Sequence, residues 1–182
     1  LRDLRQDGDP PGALALRRHS PSPFAAYFDD GTQAVLSSSP ERFLKLSNGI
    51  AQLKPMKGTR PRGADRQEDA RLKKELSQSP KETAELLMVT DLARNDLGRV
   101  CEFGSVDVPS LLDLEHHPGL VHLVSTVTGR LRPGCGWADA IAATFPPGSV
   151  TGAPKRASLE HIARLEPVPR GTGATTLERV LQ

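Results

Sequence analysis

Pro55-Met56-Lys57-Gly58-Thr59-Arg60 is the stretch on which the reading of this chain turns. It sets one lysine between a proline and a Gly-Thr pair. A glycine lets the backbone approach a ligand closely, and the neighbouring amide and the Thr59 hydroxyl can donate to a carboxylate. That pattern marks Lys57 as a candidate nucleophile beside a small-anion site, where a strand-end lysine is otherwise a solvated side chain. The hexapeptide also divides the chain by texture. Short β-rich runs precede it, and helical periodicity begins just beyond Gly63.

Upstream, Phe24–Phe28 and Gln33–Ser37 flank Asp29-Asp30-Gly31, and Arg42–Leu46 and Ile50–Leu53 flank Ser47-Asn48-Gly49. Both triplets carry hairpin turn chemistry, so four strands in a meander are expected. Residues 1–22 are rich in Arg, Pro and Asp, and Asp9-Pro10-Pro11-Gly12 breaks any helix begun before it, which predicts irregular structure. Downstream, Asp65 through Leu97 is charged, poor in β-branched residues and helical in period. Ser79-Pro80 splits it into two helices, with Ser79 as N-cap, Pro80 as first helical residue and Glu82 closing a capping box. Leu86, Val89, Ala93 and Leu97 mark the core face of the second helix. Gly104–Val108 reads as a short strand and Val121–Leu131 as a longer one, with Val121, Leu123 and Val127 on one face and His122, Val124 and Thr126 on the other. Trp137–Thr144 and Pro154–Leu165 read as helices. Strands, a helical pair, then more strands and helices make an α+β protein.

Composition narrows the function. The 182 residues suffice for one domain with its own core, which must be aliphatic because aromatics make up 4%. A net charge of +2 leaves no basic stripe, so nucleic acid is not an expected partner. No apolar run is long enough to cross a bilayer and Leu1–Arg5 lacks a signal-peptide layout, which together predict a cytoplasmic protein without a membrane partner. Cys101 and Cys135 lack partners at metal-ligand spacing and read as reduced thiols.

Five segments in order resemble the chorismate-utilising enzymes: Ser39-Pro40-Glu41-Arg42-Phe43, Pro55–Arg60, Glu82-Thr83-Ala84-Glu85, His122-Leu123-Val124-Ser125-Thr126 and Thr151-Gly152-Ala153-Pro154-Lys155. That family holds anthranilate, aminodeoxychorismate, isochorismate and salicylate synthases. The resemblance implies a partial two-sheet β-sandwich flanked by helices, spanning 23–170 between an irregular 1–22 and a divergent 171–182, with the active site between the sheets. It also implies chorismate as substrate and Mg²⁺ as cofactor.

Within the family, anthranilate synthases usually carry Ala before Gly-Thr, whereas aminodeoxychorismate synthases with Pro-x-Lys-Gly-Thr use the lysine as a covalent nucleophile. Lys57 matches the second pattern, and attack requires its neutral amine. The resemblance implies that Glu41 protonates the departing hydroxyl at carbon 4 of chorismate while Lys57 adds at carbon 2. Ammonia from a glutamine amidotransferase subunit then attacks carbon 4 and expels Lys57. Glu41 alone would read equally well as a surface carboxylate paired to Arg42 or Lys45.

Glu82 and Glu85, three apart on one helix, can project to one site, and a carboxylate pair with water suits Mg²⁺. Glu85 matches the family's metal position, and the capping box already explains Glu82. His122 matches the family's active-site histidine, although a lone strand histidine is more often structural. His116 and His117, before Pro118, read as exposed loop residues, and His19 and His161 likewise have no role. Gly58 and Thr59 would sit beside the substrate's ring carboxylate. Thr151, Gly152 and Ala153, in a Gly-rich loop leading into a helix whose free amides favour an anion, complete the substrate contacts. Lys155 has a weaker claim, because its charge can simply solvate the helix start. Asp91–Leu97 reads as a structural anchor.

The match fades after Glu166-Pro167. The family continues there through a Gly-rich strand pair, a substrate-binding Arg, a second anion loop and further Mg²⁺-binding glutamates, while this chain runs from Gly171 to Gln182 without them. The family's N-terminal portion is missing too, and the chain starts at Leu1 instead of Met. The expectation is therefore a truncated product with weak or absent activity in isolation. The rivals are anthranilate synthase component I, disfavoured by Lys57, a weaker match to isochorismate or salicylate synthase, and a non-catalytic remnant.

Overall fold

A computed structural model describes residues 11–19, 22–32, 34–117 and 119–167. The chain divides into two compact units, one of Leu1–Arg42 with Ala163–Gln182 and one of Phe43–Ile162. Its α+β character is as expected, and among the described residues every strand pairing is antiparallel.

The first unit holds a helix, α1 (Pro11–His19), and a hairpin of β1 (Phe24–Asp29) with β2 (Ala34–Ser39). The helix corrects the expectation of irregular structure in this segment. Pro11 is its first residue, where the missing N–H costs nothing and the fixed φ suits a helix, so this proline starts a helix instead of ending one. The hairpin turn is built as its acidic residues suggest: Asp29 Oδ1 accepts from the Gly31 amide and Asp30 Oδ1 from the Thr32 amide, both at 2.8 Å.

The second unit is a five-stranded sheet backed by helices. Its strands are β3 (Leu44–Ser47), β4 (Ile50–Leu53), β5 (Met56–Pro61), β6 (Asp107–His116) and β7 (Leu120–Arg130). The four-strand meander does not form, because the two hairpins belong to different sheets. Instead β4 pairs with the second half of β7 (Leu53↔Val127) and β5 with its first half (Thr59↔His122). Lys54-Pro55 is the step between them, held by the Ser125 amide on the Pro55 carbonyl at 3.0 Å. Strand β6 flanks β7 on the opposite edge.

Two of these strands differ from the sequence reading. Strand β5 went unread because Pro and Gly bracket it. Strand β6 begins beyond Gly104 and runs on to His116; exposure alternates from Asp107 to Leu114, but Pro109 and the adjacent Leu111-Leu112 pair hide that alternation in the sequence. Its central partner β7 is buried on both faces through most of its length.

Helices α2 (Arg66–Ser77) and α3 (Pro80–Gly98) cover one face. Ser79 caps α3 by accepting from the Glu82 amide at 3.4 Å. Leu86, Val89, Ala93 and Leu97 are all buried, as their spacing predicts. Leu86 joins Leu76, Val121 and Leu123, while Ala93 and Leu97 join Ala51, Leu53, Val127, Ala140 and Ala143. Each buried Leu contributes about 1.5–3 kcal/mol. Beyond β7 come α4 (Trp137–Thr144), a single turn α5 (Gly148–Thr151) and α6 (Lys155–Leu165). Among the described residues, no helix is long and apolar enough to cross a membrane. Residues 171–182 lie outside the described residues.

Candidate active site

Strand β5 carries the decisive motif along the β7 ladder of the second unit. Lys57 extends its amine to the Ser149 carbonyl of α5 at 3.3 Å, so residues far apart in sequence meet. Gly58 follows with φ +70° at a register shift in the β5–β7 ladder. A side chain there would also collide: a Cβ would lie 2.7 Å from Leu76 Cδ1 and 3.0 Å from Glu82 Oε2. Only glycine meets both demands. The shift re-aims the strand, and Thr59 then lies opposite His122, its Oγ1 2.9 Å from Nδ1.

Helix α3 supplies the wall behind this turn. Positions 82, 85, 89, 92 and 96 form one stripe at spacings of three and four. Glu82 reaches Gly58, Leu92 packs where a Cβ on Gly148 would stand at 2.2 Å, and Asp96 binds Lys155. Glu85 lies on the same stripe between these contacts. Lys155 also donates to the Thr144 carbonyl at 3.0 Å, and its side chain and that of Asp96 are 12% and 6% exposed. Burial pushes the Asp96 carboxyl up more than Lys155 pulls it down. Lys155 is thus a buried tie between α3, α4 and α6, not a solvated charge. Asp96 bears out the structural reading of Asp91–Leu97.

The expected capping box is only half formed. The Glu82 carboxylate turns to the Arg60 guanidinium at 3.8 Å, and the Ser79 amide donates to the Leu76 carbonyl instead. Glu85 likewise has a loose cation neighbour, Lys81 at 3.9 Å, so the two carboxylates differ chiefly in access: the Glu82 side chain is 18% exposed and the Glu85 side chain 40%, which leaves Glu85 more room for a cation that keeps most of its waters. Among the described residues, no three His, Cys, Asp or Glu side chains gather at metal-binding distance.

The Thr151–Ala153 segment follows Ser149 directly. The Gly152 amide donates to the Gly148 carbonyl at 2.9 Å and the Thr151 hydroxyl to the Pro147 carbonyl at 3.2 Å, so both are engaged within the turn. Ala153 is exposed at its end. Glu41 belongs to the first unit, just past β2, where the Ser39 hydroxyl bridges its backbone N–H and C=O.

His122 is 4% exposed, and burial holds its imidazole below the usual range, with His117 adding to the effect and Gly58 and Glu115 opposing it. The surroundings of this ring were not foreseen. Glu115 lies directly across from His122 in the β6–β7 register. Lys54 binds one Glu115 oxygen, and His117 Nε2 lies 3.1 Å from the other. His117 is therefore not an exposed loop residue; its ring meets His122 edge-on at 5.4 Å. Reading β6 to its true end would have put Glu115 on the strand, but its register against β7, which brings these groups to His122, is set by the fold.

The chain is an α+β protein in which an antiparallel sheet and one helix stripe converge on a lysine, and comparison with known proteins says which kind. The chorismate binding enzyme family matches residues 5–175, and the chain belongs to that family. It is 51% identical over 158 residues to an aminodeoxychorismate synthase of Streptomyces pristinaespiralis, covering 86% of this chain and 22% of the relative. It is 45% identical over 157 residues to anthranilate synthase component 1 of Bacillus subtilis, covering 86% and 30%. Anthranilate synthase component I from Streptococcus pneumoniae superposes with a TM-score of 0.75 at 37% identity, over 85% of this chain and 33% of that one. The chain thus spans between about a fifth and a third of these relatives' length.

Proposed function

We propose that this chain carries the nucleophile-bearing part of an aminodeoxychorismate synthase component I, which converts chorismate and ammonia to 4-amino-4-deoxychorismate for para-aminobenzoate and folate synthesis. The observation that carries the reading is Lys57: it occupies the Pro-x-Lys-Gly-Thr motif of a chorismate-binding chain, with its amine set against the α5 turn. Lys57 would add to carbon 2 of chorismate as both ring double bonds shift around the ring toward carbon 4 and the carbon 4 hydroxyl leaves as water with a proton from Glu41. Ammonia would then bond to carbon 4, the electron pair returning to expel the Lys57 amine. Gly58, Thr59 and the Thr151–Ala153 segment would hold the substrate, with His122 lining the pocket. Glu85 would hold Mg²⁺, which supplies positive charge for the ring carboxylate. A glutamine amidotransferase subunit would deliver the ammonia.

The likeness to anthranilate synthases favours a second reading, the amination of chorismate with loss of pyruvate. Incubating the purified chain with chorismate, Mg²⁺ and ammonium, followed by mass spectrometry, separates the two. Aminodeoxychorismate, or a Lys57 adduct of chorismate less water when ammonium is withheld, supports the first reading. Anthranilate with pyruvate replaces it by the second. A folded chain that yields no product and no adduct overturns both for this chain.

A further inference from the structure

The row that crosses the sheet on the face of His122 has a division of labour. Thr59 on β5 meets the ring on one side, and Glu115 on β6 lies across from it on the other. The Glu115 carboxylate is already committed, one oxygen to Lys54 and the other to His117 Nε2 at 3.1 Å. His117 is one-quarter exposed at its side chain, whereas His122 is sealed. A charge on the His122 ring would sit in a dry strand centre, where burial disfavours it.

We propose that His117, anchored by Glu115 and Lys54, is a positioning residue for His122: standing edge-on at 5.4 Å, it holds the buried ring as a neutral imidazole with Nδ1 on Thr59. The charged and titratable groups around this row are Lys54 from the β4–β5 step, Glu115 from β6 and His117 just beyond it. On β5, Lys57 and Arg60 are occupied elsewhere, by Ser149 and by Glu75 with Glu82. Two rings at this separation cannot both carry charge cheaply. A neutral His122 keeps a lone pair available for a hydrogen bond or a proton, which a protonated ring would lose. Its relevance to turnover rests on the proposed function, but the positioning itself does not.

The test is a nuclear magnetic resonance titration of the His122 imidazole in the full chain, with nitrogen shifts reporting its tautomer. It would compare the native chain with His117→Phe, which keeps a ring edge, and His117→Gln, which keeps neither ring nor charge. Both substitutions should raise the His122 midpoint, by about half a pH unit or more. An unchanged His122 midpoint in both variants, or a native His122 protonated at neutral pH, overturns the inference. Because the readout involves no substrate, a shifted midpoint without chorismate turnover would sink the proposed function alone. Turnover with an unmoved midpoint would sink this inference alone.

Discussion

The Lys57 amine and the Ser149 carbonyl oxygen lie 3.3 Å apart, joining a strand of the central sheet to a turn 92 residues further along. This contact places the candidate nucleophile against the segment that leads into Thr151, Gly152 and Ala153. Among the described residues this 3.3 Å contact to a neutral carbonyl is the amine's one hydrogen bond, so a substrate can displace it.

Lys57→Met should therefore leave thermal unfolding almost unchanged while removing both the product and the covalent adduct. Mass spectrometry of intact chain and small molecules after incubation with chorismate reads both. Undiminished turnover in this variant would rule Lys57 out as nucleophile.

Gly58→Ala should be among the most damaging single changes in the chain. It combines a left-handed backbone with a methyl driven against Leu76 and Glu82. The two penalties together come to about 2–5 kcal/mol, to be measured by urea unfolding. Gly49→Ala, with a similar φ but open space around it, should cost only the backbone part.

Lys155→Met should destabilise by about 3–5 kcal/mol, because Asp96 is left buried without its cation. Burial already raises the Asp96 carboxyl, and removing Lys155 raises it further. Protonation then relieves the unpaired charge, so the deficit of this variant should be greatest near neutral pH and shrink as the pH falls through that raised value. Unfolding midpoints at several pH values decide the matter, and a deficit independent of pH would count against it.

Asp69 behaves in the opposite sense. Hydrogen bonds from Arg62 and Lys73, with the Gly63 amide, hold its carboxyl far below the usual range. The stabilising effect is present above the unfolded value of 3.8 and disappears as the pH falls toward the folded one. Asp69→Asn should lower the melting temperature at pH 7, and the gap from the native chain should narrow steadily below pH 4.

Local chemistry carried much of this protein in plain view. Ser79-Pro80 begins α3 because a capping oxygen and a preset φ act within one turn, and the core face of that helix follows from spacing alone. The two hairpins were legible from their turn triplets. The motif order was sufficient to place the chain among chorismate-binding enzymes, since it depends only on residue identities along the chain.

What the chain order could not express was pairing. Which strand neighbours β7 depends on contacts across tens of residues, so neither the separation of the hairpins into two sheets nor the β5 and β6 ladders was visible beforehand. The same holds for side chains whose partners arrive from elsewhere. Glu82 looked like a cap and faces Arg60, Lys155 looked solvated and is buried on Asp96, and His117 looked idle and stands beside His122. The sequence by itself determined the helix starts, the turns and the family, because those arise from neighbours in the chain. Only the tertiary structure decided which charges were buried and with whom, because desolvation and Coulomb attraction depend on distance in space.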